Sequence, residues 1–469
     1  MKHHQAQSPI GAPGSVAVNP ATGAVFAWHP YQTTGEVSAL LDAAVRAFRE
    51  WRAARIEERA AVLIRIGEIL RERRHALATT LTSEMGKPIS QSRAEVDKCA
   101  ALCKWYAENA AALMSDEETS VEAGAAYISF LPLGVILGVM PWNYPLWQPF
   151  RAIVPALLAG NGFVLKHAPN CTSTALSVLR VFEAAGAPKG LLSVLNIAVA
   201  DIGAVIEDDR VAAVSVTGSV RAGATVASVA GKAVKKTVLE LGGSDPFIVL
   251  ADADIDRAVA AAVLSRFQNA GQTCIAAKRI IVEEPIRLEF TRKLVDSVER
   301  LSFGDPLDEG TFIGPMARVD LRDELADQMR RSINLGAAVQ LDGGAAGESH
   351  TAYFKPTVLS GVKPGMAAFD EETFGPLAAI VAAADVEDAI RLANHSKYGL
   401  SSAIWTEHLD HAKALARRLE TGSVFINGYA VSDPRIPIGG VKKSGYGREL
   451  SYLGIREFTN SQVVWANRQ

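Results

Sequence analysis

Strands and helices alternate through the middle of this chain, and the alternation restricts the possible folds more than any other feature. Between Gly134 and Leu241, short apolar runs of strand length are each followed by a run whose apolar residues have helical spacing. Such alternation predicts an α/β fold with a parallel sheet covered by helices on both faces. Ligands of these sheets bind beside the carboxyl ends of the strands, so polar residues at strand ends are the first candidates for a site.

The rest of the chain falls into three further regions. The alternation restarts after Gly243 and predicts a second α/β domain, since 469 residues are too many for one ordinary core. Residues 36–112 have helical spacing, and residues 1–35 are expected to form a loose arm with turns. The tail at 461–465 is β-rich without a partner in its own neighbourhood, which favours pairing with another subunit.

Composition excludes several classes of protein. The net charge is −3 and no basic stripe or basic amphipathic helix is present, so neither nucleic acid nor a membrane surface is an expected partner. The most apolar stretch, 130–142, is short and interrupted by proline and glycine, and the first residues lead into no apolar signal core. The cytoplasm is therefore the default location. Four cysteines without a disulfide pattern fit a reducing compartment.

Two of the cysteines, Cys99 and Cys103, lie four residues apart and raise the question of a metal. No nearby histidine or further cysteine completes a tetrahedral set, so helix packing is the favoured interpretation and no metal is expected. A third, Cys274, lies in a glycine-containing turn between a helix-like run and a strand-like run. Such turns often display reactive side chains, although a lone cysteine is usually a small buried hydrophobe.

Other polar residues lie where strands are predicted to end. Asn143, between two prolines, can donate a hydrogen bond to an oxyanion or can merely satisfy the turn backbone. Gly218 and Ser219 lie between a strand and a helix, where a pyrophosphate can approach backbone N–H groups, but the string is not the full glycine fingerprint. Lys166 ends its strand and suits a ribose or phosphate, the alternative being a solvated lysine.

Carboxylates supply the remaining candidates. Glu240 interrupts an apolar run before two glycines, and burial there would raise its pKa toward that of a useful general base. Glu372 and Phe374 belong to a run that can clamp a ribose and a planar ring, or can simply form a turn.

Taken together and in this order, the motifs resemble the NAD(P)-dependent aldehyde dehydrogenases over nearly the whole chain. The matching stretches are Asn19-Pro20-Ala21-Thr22-Gly23, Glu84-Met85-Gly86-Lys87-Pro88, Pro141-Trp142-Asn143-Tyr144-Pro145, Thr217-Gly218-Ser219, Leu239-Glu240-Leu241-Gly242-Gly243, Gly271-Gln272-Thr273-Cys274, Glu371-Glu372-Thr373-Phe374-Gly375-Pro376, Pro437 to Gly445 and Gly447-Arg448-Glu449.

The resemblance implies a fold and a set of domains. It implies a Rossmann-like parallel-sheet cofactor domain over 1–113 and 133–242 and an α/β catalytic domain over 243–457. A small β oligomerisation element is expected from 114–132 and 458–469, with a homodimer or homotetramer as the assembly.

The resemblance also implies roles for individual residues. Cys274 would be the nucleophile, Asn143 and the Cys274 backbone N–H would hold the oxyanion, and Glu240 would activate water. The cofactor, NAD or NADP, would be bound by a further set of residues, namely Trp142, Lys166, Gly218, Ser219, Glu372 and Phe374. Pro169 stands where members that strongly prefer NAD often carry a glutamate, so use of both cofactors is expected.

The expected substrate is a small aldehyde. Arg151 matches a position where succinate-semialdehyde dehydrogenases place an arginine that can pair with the substrate carboxylate, and two further stretches look like the shorter bacterial enzymes of that kind. The alternative for Arg151 is a helix-surface ion pair. A second arginine of some such enzymes is Gln268 here, and Ser432 or Arg435 could substitute for it.

Succinate semialdehyde is thus the favoured substrate, and a broad-specificity aliphatic or aromatic aldehyde dehydrogenase is the alternative. Two other classes stay open at this point. One is a thiol hydrolase or acyltransferase without a nicotinamide cofactor, and the other is a catalytically silent structural protein on the same fold.

Overall fold

A computed structural model describes residues 13–122 and 124–467 of the chain. The predicted first domain begins within residues 1–12, and the predicted oligomerisation element includes residues 123, 468 and 469, all of which lie outside the described residues. The elements of the first half are β1 (Gly14–Val18), β2 (Val25–Pro30), α1 (Thr34–Trp51), α2 (Ile56–Glu72), α3 (Arg74–Met85), α4 (Ile89–Glu108), α5 (Ala110–Leu113), β3 (Glu117–Thr119), β4 (Gly124–Pro132), β5 (Val135–Val139), α6 (Trp147–Leu158), β6 (Gly162–Lys166), α7 (Thr172–Ala184), β7 (Leu192–Val194), α8 (Ile202–Glu207), β8 (Val211–Thr217), α9 (Val220–Lys232) and β9 (Lys236–Glu240).

The second half continues the alternation. Its elements are β10 (Asp245–Val249), α10 (Ile255–Phe267), β11 (Ala277–Glu283), α11 (Glu284–Val298), α12 (Val319–Asn334), β12 (Ala338–Leu341), β13 (Gly344–Ala345), β14 (Phe354–Lys355), β15 (Thr357–Ser360), α13 (Ala367–Asp370), β16 (Leu377–Ala383), α14 (Val386–Asn394), β17 (Tyr398–Gly399), β18 (Ser401–Trp405), α15 (Leu409–Ala416), β19 (Ser423–Ile426), β20 (Val441–Lys442), β21 (Gly445–Tyr446), α16 (Ser451–Glu457) and β22 (Thr459–Asn467).

The helical lead-in begins and ends as its residues dictate. Thr33 and Glu36 form a reciprocal capping box that satisfies the first free N–H groups of α1. Gly86 ends α3 in a left-handed conformation with φ 78°, which a residue without Cβ adopts at no steric cost. The four long helices over 34–108 confirm the helical spacing read from the sequence.

A six-stranded sheet forms the core of the first half, in the order β21-β9-β8-β5-β6-β7. The five strands β5 to β9 are all parallel, and the short β21 adds antiparallel to β9 at the edge. The first strand in sequence, β5, lies in the interior with β6 on one side and β8 on the other. The strand order therefore reverses beside β5, the position at which doubly wound sheets bind their ligands.

A seven-stranded sheet forms the core of the second half, in the order β12-β15-β16-β11-β10-β18-β19. All its neighbours are parallel except β12, which pairs antiparallel with β15. Strands β10, β11 and β18 are buried throughout, as expected of parallel strands with helices on both faces. Two α/β sheets confirm the predicted fold class.

The tail strand has a partner within the chain, which corrects the expectation that it is an orphan. β22 pairs antiparallel with β4 along all nine residues, and β3 extends the sheet on the other side of β4. The sequence could not show this pairing because more than three hundred residues separate the two strands. β22 remains an edge strand, with Val463 and Trp465 more than half exposed.

The expectation of a loose arm over residues 1–35 is also wrong for its described part. β1 and β2 form an antiparallel hairpin across the predicted turn, and Gly23 adopts φ 71° there. The alternating burial of β1 brings Ser15 against α7, where its hydroxyl lies 2.8 Å from the Thr172 hydroxyl. β1 has only five residues. An alternating pattern of that length is too short to distinguish a strand from coil in the sequence.

The predicted domain boundaries remain a prediction. The predicted cofactor and catalytic domains each contain one of the two larger sheets. β21 is an exception, because it lies within 243–457 but pairs with β9 of the first half. Within the described ranges, no helix combines the length and apolar character needed to cross a membrane.

Candidate active site

Four of the predicted site residues lie at one edge of the six-stranded sheet. Lys166 and Glu240 are the last residues of β6 and β9, Gly218 follows β8 directly, and Asn143 follows β5 by four residues. Since these strands are parallel neighbours in the order β9-β8-β5-β6, their carboxyl ends meet along the same edge. The structure thus brings together residues that are separated by more than twenty positions in the sequence.

Cys274 is presented by a tight turn from the second half of the molecule. Helix α10 ends at Phe267, and the 3₁₀ turn that follows contains two non-glycine residues in the left-handed region, Asn269 (φ 57°) and Ala270 (φ 50°). Such conformations cost free energy and persist where surrounding contacts enforce them, often at functional sites. The Cys274 side chain is half-buried, in contrast to the fully buried thiols of Cys99, Cys103 and Cys171.

The amide of Asn143 is fixed on the loop that carries the cysteine. Its Nδ2 donates to the Gln272 carbonyl oxygen at 3.1 Å, and the Asn269 Nδ2 donates to the Asn143 carbonyl oxygen at 2.8 Å. Next to it, the Tyr144 hydroxyl lies 3.1 Å from the Thr273 hydroxyl. One N–H of the Asn143 amide satisfies loop backbone, and the second remains for a reacting oxygen. The backbone-satisfying role read from the sequence is present, and the oxyanion role stays a prediction.

Burial controls the protonation of the thiol. It raises the pKa of Cys274 to about 11, while the positive charges of Arg151 and Lys278 act in the opposite direction. At neutral pH the side chain is a thiol in this structure, and it needs a proton acceptor to become a nucleophile.

Glu240 has the properties of such an acceptor. Its side chain is buried, and Oε1 has no hydrogen-bond partner among the residues that the structure describes. Burial, followed by the neighbouring negative charge of Glu449, raises the pKa of Glu240 to about 8. Gly439 makes room for the carboxyl group, because a Cβ at that position would lie 2.9 Å from Oε1. The predicted general base is therefore a buried carboxyl group poised near neutral pH.

Arg151 occupies a different environment from the one predicted. Its guanidinium is buried in α6, and Nε donates to the Glu449 carboxylate, which also accepts from the Ser215 hydroxyl at 3.4 Å. The ion pair that the sequence suggested as an alternative is present, but it is buried and not on the helix surface. Nη2 is buried and has no hydrogen-bond partner within residues 13–122 and 124–467. Helical spacing alone could not show this, because Glu449 lies near the other end of the chain.

Several residues predicted to hold a dinucleotide lie at or just after the carboxyl ends of β5, β6 and β8. The rings of Trp142 and Phe374 meet edge to face with centroids 5.6 Å apart. Ser219 caps α9 by accepting from the Ala222 N–H at 3.2 Å. A Cβ at Gly218 would meet only the Ala222 Cβ at 3.9 Å, so the approach to the start of this 13-residue helix is open to a phosphate group.

Lys166 is buried and not a solvated strand-end residue. Its Nζ donates to the His167 carbonyl oxygen at 2.9 Å, and burial lowers its pKa to about 8. His167 in turn contacts the Pro145 carbonyl oxygen through Nε2 at 2.9 Å, which connects this strand end to the Asn143 loop.

Glu372 is held by donors of the protein. Its Oε1 accepts from the Gly243 N–H at 3.0 Å and from the Lys278 Nζ at 3.1 Å. The other oxygen lies so close to Gly242 that a Cβ there would collide with it, which explains why that position is glycine. Lys278 also donates to the Cys274 carbonyl oxygen at 2.6 Å. It therefore connects the backbone of Cys274 to the predicted cofactor carboxylate.

Two residues of this arrangement were missed in the sequence, Lys278 and Asn269. Lys278 lies in an apolar run after the cysteine, where a charged residue indicates either a buried pair or a surface position, and nothing local distinguishes them. Asn269 offered a signal, since asparagine tolerates left-handed backbone better than most residues and stands five before Cys274.

The outer end of the site is formed by side chains from distant elements. Ser432 lines a cavity together with Ile275, the residue after Cys274, and its hydroxyl accepts from the Nζ of Lys98 on α4 at 2.8 Å. Gln268 is exposed, and Arg435 is taken up by an exposed ion pair with Asp433. Ser432 thus shares a cavity with the residue that follows Cys274.

Comparisons with known proteins agree with this architecture. The model of the family described as "Aldehyde dehydrogenase family" matches residues 12–464. A succinate semialdehyde dehydrogenase of Escherichia coli (strain K12), named as using NAD(P)+, is 51% identical over 455 residues, which are 97% of this chain and 98% of that protein. A probable succinate-semialdehyde dehydrogenase of Synechocystis sp., named as using NADP+, is 44% identical over 96% of this chain and 98% of its own.

A solved structure shows the same fold. The succinic semialdehyde dehydrogenase of Streptococcus pyogenes, crystallised in complex with NADP+, superposes with a TM-score of 0.94 at 36% identity, covering 97% of this chain and 100% of that one.

Proposed function

Because this chain belongs to the aldehyde dehydrogenase family, we propose that it oxidises succinate semialdehyde to succinate with NAD+ or NADP+. The family's reaction is the oxidation of an aldehyde with NAD(P)+. It is therefore preferred here to the two other classes that the sequence left open, a thiol hydrolase or acyltransferase and a catalytically silent structural protein. The choice of aldehyde is supported by relatives named for succinate semialdehyde that are 43–51% identical over nearly the whole chain.

The observation that carries the proposal is the Asn143 amide held on the loop of Cys274. In the proposed reaction the Cys274 thiolate adds to the aldehyde carbon, and the oxygen takes up negative charge. The free N–H of Asn143 and the Cys274 backbone N–H then stabilise that oxyanion. A donor fixed in advance requires no reorganisation when the charge develops, and such donors contribute about 2.7–4 kcal/mol to lowering a barrier.

NAD(P)+ fits the residues of the sheet edge. Gly218, Ser219 and the start of α9 would face the pyrophosphate, Lys166 the adenosine ribose, and Glu372 with Phe374 the nicotinamide ribose and its surroundings. When bound, the nicotinamide supplies the hydride acceptor that allows the Cys274 adduct to become a thioester. Glu372 must exchange a protein donor for the ribose or use its second oxygen, since Oε1 accepts from Gly243 and Lys278.

Glu240 would complete the reaction by activating water. Its raised pKa means that a large fraction is protonated at pH 7, so that it can accept and release protons near neutrality. The deprotonated form removes a proton from the water that attacks the thioester, which releases the acid and restores the thiol. Positioned bases of this kind contribute about 10²–10⁴-fold.

Both cofactors are proposed to be used. Pro169 follows the strand-end Lys166 by three residues, so that no carboxylate stands there to repel a 2′-phosphate. We expect kcat/KM values for NAD+ and NADP+ that differ by less than about a thousandfold, some 4 kcal/mol. A larger preference for NAD+ would contradict this.

A broad-specificity aldehyde dehydrogenase is the second candidate, and one observation favours it. Arg151, the arginine that the sequence assigned to the substrate carboxylate, is already paired with Glu449. The test is a steady-state panel of succinate semialdehyde, butanal, hexanal and benzaldehyde with each cofactor, followed by NAD(P)H absorbance. Succinate semialdehyde should have the highest kcat/KM, whereas equal values across the panel would support the broad enzyme.

Two further points belong to the proposal. We propose a homodimer or homotetramer, supported by the exposed edge strand β22 with its apolar Val463 and Trp465, and light scattering with Trp465→Glu would test it. We also propose a cytoplasmic location, supported by the absence of a membrane-spanning helix in the described ranges and by the unpaired cysteines.

A further inference from the structure

Lys98 is the uncompensated cation at the outer end of the site. It lies on α4 with its Nζ 4.1 Å from the centroid of the Trp147 ring and 2.8 Å from the Ser432 hydroxyl. Within residues 13–122 and 124–467, no carboxylate lies within the 4.0 Å that defines an ion pair with this Nζ. A half-buried ammonium without a carboxylate partner is free to bind an anion.

The positive charge of Arg151, in contrast, is compensated by a carboxylate. Its Nε donates to Glu449, so the pair carries little net charge and the arginine mainly holds α6 to the C-terminal segment. The unpaired Nη2 leaves one donor, which makes Arg151 the rival candidate and a necessary part of the test.

The Lys98 ammonium contacts a residue of the cavity that borders the Cys274 loop. Ser432, which accepts its hydrogen bond, lines the same cavity as Ile275, the neighbour of Cys274. Trp147, over whose ring the ammonium lies, follows the Tyr144 that contacts Thr273 beside the cysteine. Lys98 is therefore connected through Ser432 to a cavity that is also lined by Ile275, the residue that follows Cys274.

The charge of Lys98 is present at neutral pH but easily removed. Burial and then the positive charge of Arg151 on α6 lower its pKa to about 8, against the influence of Cys99 and Glu95 on its own helix and of Asp433 on the facing loop. A substrate carboxylate in contact with the ammonium would favour the charged form.

We propose that Lys98, with Ser432 as its hydrogen-bonding partner, recognises the carboxylate of the substrate and determines the preference for an ω-carboxylated aldehyde. Arg151 is a positioning residue in this arrangement. The inference rests on the proposed function, since it concerns the same site and names the group that selects its substrate.

The test compares four variants on two substrates, and three of the variants remove a positive charge. Lys98→Met removes the ammonium and keeps the length of the side chain. Lys98→Arg restores the cation, and Lys104→Met makes the same chemical change at an exposed position of the same helix. Arg151→Met tests the rival. Each is assayed with succinate semialdehyde and with butanal, which has the same number of carbons and no carboxylate.

We expect Lys98→Met to lower kcat/KM for succinate semialdehyde about 10- to 100-fold, mainly through KM, because a charge-assisted hydrogen bond is lost. The value for butanal should change less than about threefold, since its oxidation requires no anion recognition. Lys98→Arg should recover most of the loss, and Lys104→Met should resemble the wild type.

Three results would overturn the inference. One is an equal loss on both substrates in Lys98→Met, another is no loss on either, and the third is a loss specific to succinate semialdehyde in Arg151→Met alone. A wild-type enzyme without preference for succinate semialdehyde over butanal would overturn the proposed function as well. A preference that survives in Lys98→Met overturns only the role of Lys98, so the two failures are distinguishable.

Discussion

The Asn143 amide and the Cys274 carbonyl are each fixed by a hydrogen bond between a side chain and the backbone, whereas Lys98 is held by other side chains. The Asn143 amide is held by the Gln272 carbonyl, and the cysteine's own carbonyl accepts from Lys278. At the outer end, Lys98 reaches Ser432 through two flexible side chains from elements far apart in sequence. The inner end of the site, formed by Cys274, Asn143 and Glu240, is therefore suited to chemistry shared by all aldehydes. The outer end, formed by Lys98 and Ser432, is suited to selection among them. Substitutions should separate the two ends by whether they affect every aldehyde or one class.

The largest effect is expected at Cys274, the proposed nucleophile. Cys274→Ala should lower aldehyde-dependent NAD(P)H formation about 10⁴-fold or more for every aldehyde, because no covalent intermediate can form. Stopped-flow and steady-state absorbance would measure it. Cys103→Ala, which removes a buried thiol from α4, should retain activity; similar loss in both variants would mean that the effect is on folding.

A loss of about 10²–10⁴-fold in kcat is expected for Glu240→Gln, again with every aldehyde, because thioester hydrolysis loses its base. In the wild type the pKa of Glu240, raised by burial to about 8, predicts that kcat increases with pH up to about 8 and then levels off. The increase follows deprotonation, since the carboxylate is the active form. A kcat that decreases over pH 6–8 would contradict the assignment.

Asn143→Ala should reduce kcat/KM by about 10²–10³-fold with succinate semialdehyde and butanal alike, because one oxyanion donor is removed. Asn143→Asp is the matched variant of equal size, and its negative charge should make it at least as slow. A loss restricted to one of the two aldehydes would place Asn143 in substrate selection and so remove the distinction between the two ends.

A smaller effect is expected on the preference for succinate semialdehyde over butanal, which should depend on pH. Since the pKa of Lys98 is lowered to about 8, the ratio of kcat/KM for succinate semialdehyde to that for butanal should decrease as pH rises through 8. Taking the ratio cancels the titration of Cys274 and Glu240, which act on both substrates. We expect a decrease of up to about tenfold per pH unit, reduced where Ser432 and the neutral amine still bind. A ratio that is constant from pH 7 to 9.5 would contradict recognition by Lys98.

The smallest effect is expected at Gln268, which is exposed. Gln268→Ala should change either kcat/KM less than about threefold, as is usual for exposed positions away from specific contacts. Gln268→Arg should improve KM for succinate semialdehyde alone by about two- to fivefold, the magnitude of an exposed charge pair. An improvement for butanal as well would show that the position shapes access and not charge.

The sheet-edge positions of the inner end could be predicted from sequence, whereas at the outer end Ser432 was a candidate and Lys98 was not. Cys274, Asn143 and Glu240 each stand in a local pattern of turn, proline or strand end, and the alternation of elements was enough to place Asn143 and Glu240 at one sheet edge. Lys98 stands next to Asp97 on an amphipathic helix, where a charged pair normally indicates a surface. Its position in the site depends on how α4 packs against the 430–438 loop, and that packing leaves no local signal.

Arg151 shows the same difference between what a local pattern predicts and what distant packing determines. Its spacing from Asn143 suggested a substrate contact, but its partner Glu449 lies almost three hundred positions away and could not be anticipated from local sequence. Long-range pairing also explains the error at β22, whose partner β4 is equally distant.

These pairings determine when the polypeptide can finish folding. Strands β21 and β22 and the side chain of Glu449 all come from residues 445–467, yet they complete sheets and neutralise a buried cation in the first half of the chain. Until those residues have left the ribosome, β4 and β9 present open edges and Arg151 lacks its counter-ion. Nascent chains with open strand edges are prone to aggregation, so this protein is expected to depend on chaperones late in synthesis. A stop codon just before Gly445 would then leave an insoluble product, although Cys274, Asn143 and Glu240 would all be present.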